Sequence, residues 1–427
     1  MHLSEYQPIF KNKTKKFFAK AEIYAQGLLL SENRNIEKLS ETMNSNYYQM
    51  QHFITESTWS GRDLIDQVAK EVNSLLPKRK LTGLIIDESG WVKKGIKSVG
   101  VGHQYCGNVG KLSNSQVAVF AALNNGDFSS MVDARLYLPQ DWCLDTERCE
   151  QAGIPESERS FKTKLELAYE IVEHQSKQID FDFVCADGYY GNDADFARKI
   201  NELGYLYMLD IHSNQAIYTE PVELEIPARK SSKGPTPTKL KASKPSISVE
   251  KYMDMLIDED WQELTVRNTT KGKLTGYYHF AKVYIWNKLE NQIEQRLLVI
   301  RKTISPDNEL EVKYSFSNAN LDQYTPEVIA YMQAQRFFVE HCIKESKQIL
   351  GIDQFQTRKW NAWLHQTALN FMVSSFILKE KLRNNEDLPL ISARDIKELI
   401  MFQLYKQMSD EQMYERIIHR HIRQIGR

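Results

Sequence analysis

Three acidic side chains fall where a phosphodiester could be held between metal ions. Asp87 closes the apolar run Leu84-Ile85-Ile86, and Asp187 closes Phe183-Val184-Cys185-Ala186. Glu340 lies inside Arg336-Phe337-Phe338-Val339-Glu340. Both aspartates stand at the ends of predicted strands, where a side chain leaves the sheet edge. The glutamate stands on a predicted helix that also carries Arg336 and Lys347. Hydrolysis or transfer of a phosphodiester at neutral pH needs an activated oxygen nucleophile and relief of charge on the leaving oxygen. Two divalent ions about 4 Å apart supply both, and the hard oxygens of Asp and Glu suit Mg2+ or Mn2+. No His or Cys cluster favours a softer metal. Taken singly, a strand-end Asp is commonly a turn or cap residue and a helical Glu a solvated one. The joint pattern carries the reading.

The elements that must position this trio follow from hydrophobic periodicity. Residues 1 to about 78 read as helical and end at Pro77. Leu81 to Ile86, Ser115 to Leu123 and Met131 to Leu138 are strand candidates, the first two separated by the glycine-rich Gly100–Gly110 stretch. A helix follows from about Lys162 to Gln178, then a strand Phe181–Ala186, a short helix with Phe196 and Ile200, and a strand Gly204–Ile211. That order predicts an α+β protein with a ribonuclease-H-like mixed sheet and flanking helices. Arg229 to Ser246 is a basic, proline-bearing loop by composition. Residues 262 to 316 then alternate like strands, a β-rich insertion. A helix Glu327–Leu350 stopped by Gly351, a second over Trp360–Lys381 and a last from Asp395 close the chain.

The expected division is a helical N-terminal DNA-binding domain over 1–78 and the first part of a catalytic core over 79–214. The insertion occupies 215–325, the rest of the core with the Glu helix 326–380, and a helical DNA-contacting tail 381–427. A chain of 427 residues exceeds one ordinary domain, and 42% hydrophobic content suffices for real cores. The formal net charge of −1 means that any nucleic-acid surface must be local. Five scattered cysteines without a Cys-x-x-Cys pair argue against a disulfide framework and a structural zinc. No apolar run approaches the roughly 18 residues of a membrane span, and a cytoplasmic, bacterial setting is expected.

The motifs around the trio resemble those of the DDE transposases of bacterial insertion sequences, the IS-four-like superfamily and its IS-seven-oh-one branch. Ile86-Asp87-Glu88-Ser89-Gly90 with Lys93-Lys94-Gly95 is similar to the first-Asp motif, and Ala186-Asp187-Gly188-Tyr189-Tyr190-Gly191 to the second. The third motif is Tyr, two residues, Arg, three residues, Glu, six residues, Lys. Arg336, Glu340 and Lys347 keep that spacing and Leu350-Gly351-Ile352-Asp353 follows, but Gln333 stands at the Tyr position.

The resemblance implies that Asp87, Asp187 and Glu340 hold two Mg2+ or Mn2+ ions, with Arg336 and Lys347 meeting the DNA backbone or the transition state. It also implies double-stranded DNA as partner, both the terminal inverted repeats and the target, a homodimeric synapse, and nucleoid association when bound. The activity implied is cut-and-paste transposition: phosphodiester hydrolysis, then attack by the freed 3′-OH. Lys93 and Lys94 are further candidate DNA contacts. So are Arg416, Arg420, Arg423 and Arg427 on one face of the last helix, and the Lys11, Lys13, Lys15, Lys16, Lys20 cluster. Solvated faces, and an Arg336–Glu340 pair at i,i+4, are the plainer readings. A transposase-derived DNA-binding protein without catalysis, or a nuclease that never joins strands, is the alternative.

Overall fold

The computed structural model describes all residues except 1–2, 79, 230–236, 270–271, 305–308, 389–390, 408, 412–413, 415–417 and 419–427. Four helices open the chain, α1 (Phe18–Leu30), α2 (Ile36–Thr42), α3 (Tyr47–Thr55) and α4 (Gly61–Leu75). Then come β1 (Gly83–Val92), β2 (Gly102–Cys106), β3 (Lys111–Asn124), β4 (Ser129–Leu136), α5 (Lys164–Gln175) and β5 (Phe183–Ala186). They are followed by α6 (Gly188–Gly191), α7 (Ala194–Glu202), β6 (Leu206–Ile211), β7 (Gln262–Thr269), β8 (Gly272–Asn287), β9 (Gln292–Ile304) and β10 (Leu310–Ser317). The last helices are α8 (Pro326–Ala334), α9 (Phe337–Gln348), α10 (Trp360–Arg383) and α11 (Ala393–Gln407). It is a mixed α+β protein. Among the described residues no helix is long and apolar enough to cross a membrane.

The chain divides into two compact units, and the division cuts β1. The first unit holds residues 1–80, 87–180 and 338–427, the second 81–86 and 181–337.

In the first unit, α4 starts at Ser60, whose side chain accepts from the Asp63 amide, and buries Leu64, Ile65, Val68, Ala69 and Val72 on one face. α10 is buried on nearly every side. Its His365 presents its two ring nitrogens to the carbonyls of Ile54 (2.8 Å) and Trp59 (2.9 Å) and stacks on the Trp59 ring. The N-terminal helices thus pack with α10 in a single core. α5 opens on a capping box in which Thr163 and Glu166 satisfy each other's amides. The glycine-rich stretch is not a mere spacer: β2 and β3 form a hairpin with His103 opposite Asn114, and Gly110 takes a left-handed conformation at its turn.

In the second unit the first half of β1 pairs parallel with β5, and β5 parallel with β6. Gly83–Ile86 and Phe183–Ala186 are buried throughout, as parallel strands covered on both faces require. The strands of 262–317 extend this sheet antiparallel, in the order β7-β8-β9-β10-β6, with β10 directly on β6. α6 lies so close to β6 that a Cβ at Gly191 would fall on the carbonyl oxygen of Asp210. Gly191→Ala is therefore expected to destabilise the protein by about 3 kcal/mol or more, the upper part of the overpacking range. Urea unfolding measures this, and a loss near zero would mean that α6 can move off the strand.

Two expectations need correction. β1 does not end at Asp87 but runs on to Val92. The Trp91 indole donates to Gln116 Oε1 (3.0 Å) and the Lys93 amide to Asn114 O (2.9 Å), so β3 carries the strand past the polar residues. The expected continuous helix 327–350 is two helices. Gln335 donates its side-chain amide to Tyr331 O (2.7 Å) and its backbone amide to Met332 O, closing α8 in a tight turn before α9 begins.

Candidate active site

Asp87 lies within β1, half-buried, with Oδ1 accepting from the Glu88 amide at 2.8 Å. Glu88 turns to Lys164 at the start of α5 (2.9 Å). Lys347 reaches this strand from α9, its ammonium 3.4 Å from Gly90 O. Burial lowers the Lys347 pKa, while the carboxylates of Asp353 and Asp87 pull it upward. Asp353, in the turn after α9, also faces Lys93. The Lys93 ammonium donates to Phe355 O at 2.8 Å and sits over the Phe355 ring, and burial pushes it down to about 8 against the pull of Asp353. Oδ1 of Asp353 is buried with no hydrogen-bond partner among the described residues. Asp87, Lys347, Lys93 and Asp353 thus form one charged neighbourhood of the first unit, in which Lys93 is turned inward and Lys94 is exposed.

Glu340 belongs to the same unit. It is exposed in the first turn of α9, seven residues before Lys347. Seven residues are about 20° short of two turns, so both residues lie on one helix face, roughly 10 Å apart along the axis.

Asp187 belongs to the second unit, where β5 ends and α6 begins. It caps α6, with Oδ1 accepting from the Tyr189 amide at 3.0 Å. Gly83, Leu84 and Ile85 of β1 stand in parallel register with Phe183, Val184 and Cys185 of β5. Arg336 follows α8, and its Nε lies 2.9 Å from Asp210 Oδ2 on β6, a partner that the sequence reading missed. Asp210 gave no signal there, being one acid inside an apolar strand.

Carboxylates of these types are hard oxygen donors suited to a divalent cation. Among the described residues, no group of three or more His, Cys, Asp or Glu side chains stands ready to hold one. Of the candidate DNA contacts, Lys11, Lys13, Lys15 and Lys16 are exposed on a tight hairpin in which Lys11 and Lys16 face each other. Like charges directly opposite across strands repel, which an anion would relieve. Arg416, Arg420, Arg423 and Arg427, with Lys230 and Lys233 of the basic loop, lie outside the described residues.

Fold and side chains describe an α+β protein with acidic residues in and after its central parallel strands and basic ones on neighbouring segments. The chain belongs to the DDE superfamily endonucleases, whose family model matches residues 5–273, more than half of the chain and inclusive of Asp87 and Asp187. Glu340 lies beyond the matched residues. Over 334 residues the chain is 27% identical to a protein named probable transposase for insertion sequence element IS701, from Microchaete diplosiphon, covering 78% of this chain and 73% of that one. Among solved structures, the NurA nuclease from Sulfolobus solfataricus aligns with 83% of this chain and 98% of its own at 9% identity. The TM-score is 0.27, too slight a likeness to bear on the fold.

Proposed function

We propose that this chain is the transposase of an insertion sequence. It binds the terminal inverted repeats of its own element, hydrolyses phosphodiesters at the ends, and joins the freed 3′-OH to target DNA, working as a dimer that pairs two ends. The observation that carries this reading is the family match taking in both Asp motifs. The relative named as a probable transposase supports the step from endonuclease to transposase. The mixed sheet then serves as a ribonuclease-H-like core.

In this reading Asp87, Asp187 and Glu340 hold two Mg2+ or Mn2+ ions. Such ions, when bound, activate the nucleophilic oxygen and offset charge on the leaving one. Lys347 places a cation beside Asp87, and Glu340 stands on the same face of α9. Arg336 and the exposed lysines, Lys94 among them, meet phosphates of the backbone, with the N-terminal segment and the C-terminal arginines sharing end recognition.

Protection footprinting on the DNA flanking the coding sequence tests the reading. Protection of two matching inverted segments, persisting in competitor DNA, is expected. Uniform protection that competitor removes would leave only a non-specific DNA binder.

A further inference from the structure

Gln333 stands where the resembling motif has Tyr, and the structure gives it work in the second unit. It is 3% exposed, and its Nε2 donates to Ser315 Oγ at 2.9 Å. Ser315, fully buried, donates its hydroxyl to Asp210 Oδ1 at 2.7 Å. The two residues are direct partners across β10 and β6. The other oxygen of Asp210 takes Arg336 Nε at 2.9 Å. A carboxylate divided between a hydroxyl and a guanidinium cannot rotate without losing one of them. The ion pair at the buried Nε anchors the guanidinium beside β6, and where that group is held decides which phosphate it can meet. The series runs from a buried amide on α8, through two strands, to the one cation at the break between α8 and α9.

We propose that Asp210 is a positioning residue: the series Gln333–Ser315–Asp210 holds the Arg336 guanidinium at the place where it meets a phosphate of bound DNA. This rests on the reading of Arg336 as a backbone contact. The departure from Tyr at position 333 then has a purpose, since the amide supplies the donor at the foot of the series. Asp210 is also an anion beside an anion-binding group. Removing its charge should relax competition with phosphate while loosening the aim of Arg336.

The test uses the full chain and a labelled duplex cut from the DNA flanking the coding sequence. Affinity is measured without metal, and cleavage in Mg2+ or Mn2+ at saturating protein. The proteins are wild type, Arg336→Ala, Asp210→Asn and Ser315→Ala, each with a thermal melt. Arg336→Ala is expected to weaken binding and cleavage. Asp210→Asn is expected to lower the saturated cleavage rate about ten- to a hundredfold, the scale of a misplaced group, with affinity unchanged or tighter. Ser315→Ala should move both in the same directions by less. A merely structural role would lower affinity, rate and melting temperature together. Should Asp210→Asn melt early, Ser315→Ala decides, because it removes one hydrogen bond to Asp210 and leaves the ion pair. Cleavage by Asp210→Asn within about twofold of wild type, with Arg336→Ala impaired, overturns the positioning role and leaves the reading of Arg336 standing. An Arg336→Ala protein that binds and cuts like wild type, or a wild type that does not cut, removes that reading and the inference with it.

Discussion

Asp87→Asn is expected to lower cleavage at DNA ends by about a thousandfold or more while affinity for the same DNA holds. The magnitude follows from removing an anionic oxygen from a site whose chemistry depends on fixed charge; loss of even one preorganised neutral donor costs about a hundred- to a thousandfold. The substitution is nearly isosteric. An Asn carbonyl can still accept from the Glu88 amide as Asp87 Oδ1 does, so β1 keeps its local geometry. The charge removed lies within electrostatic reach of Lys347, so the neighbourhood becomes more positive, which does not weaken attraction for a polyanion. A gel assay of cleavage beside an anisotropy titration gives both quantities. Binding lost in the same proportion as cleavage would mean that Asp87 organises the fold or the DNA surface.

The second large effect concerns stability. Asp133 on β4 is fully buried, and its Oδ1 accepts from Arg62 and Arg135 (both 2.7 Å) and from the Ala134 amide. Its Oδ2 accepts from Gln175 at the end of α5 (2.8 Å). Arg62 continues the network to Asp66, which His174 also meets at 2.9 Å. One carboxylate thus joins α4, β4 and α5. Removing it leaves Arg135 without its carboxylate, takes one of two from Arg62 and frees two amides, and breaking such a buried pair from one side costs about 3–5 kcal/mol. Asp133→Ala is expected to lose that much in urea at neutral pH; a loss under about 1 kcal/mol would mean that water or a rearranged Arg62–Asp66 pair replaces it.

The same network sets an acid limit. Burial raises the Asp133 carboxyl, but Arg135 and Arg62 outweigh it, and its pKa is lowered on balance, as is that of Asp66. A carboxyl depressed in the folded state contributes fully above its unfolded value near 3.9 and loses that contribution as pH falls through the folded value. Wild-type stability should therefore fall with acid below about pH 4, and less steeply in Asp133→Ala.

Much of this was legible in the sequence, because it depends on local pattern. Phe183–Ala186 is continuously apolar and ends at an acid before Gly188, and it is a buried strand whose next residue caps a helix. Thr163 and Glu166 stand three apart before an apolar stripe and form the cap of α5. What escaped depends on partners distant in the chain. The polar run Asp87-Glu88-Ser89-Gly90 looks like a strand ending, and it is the neighbouring β3, Gln116 and Asn114 included, that carries it further. The apolar pattern across 327–350 is unbroken, whereas the interruption comes from the Gln335 side chain reaching Tyr331 O. Arg336 also meets Asp210 on β6, and no spacing rule links those two residues. Lys93 sits beside Lys94 in the sequence, yet Phe355 and Asp353 draw only the first of them inward.

The most direct measurement is cleavage and strand transfer on labelled DNA carrying the element's own ends. Wild type and Glu340→Gln are compared in Mg2+, in Mn2+ and in EDTA. Metal-dependent nicking at the ends with joined products, both lost in Glu340→Gln, is the predicted result. Specific end binding with no cleavage in either metal would contradict it and leave a DNA-binding protein without catalysis.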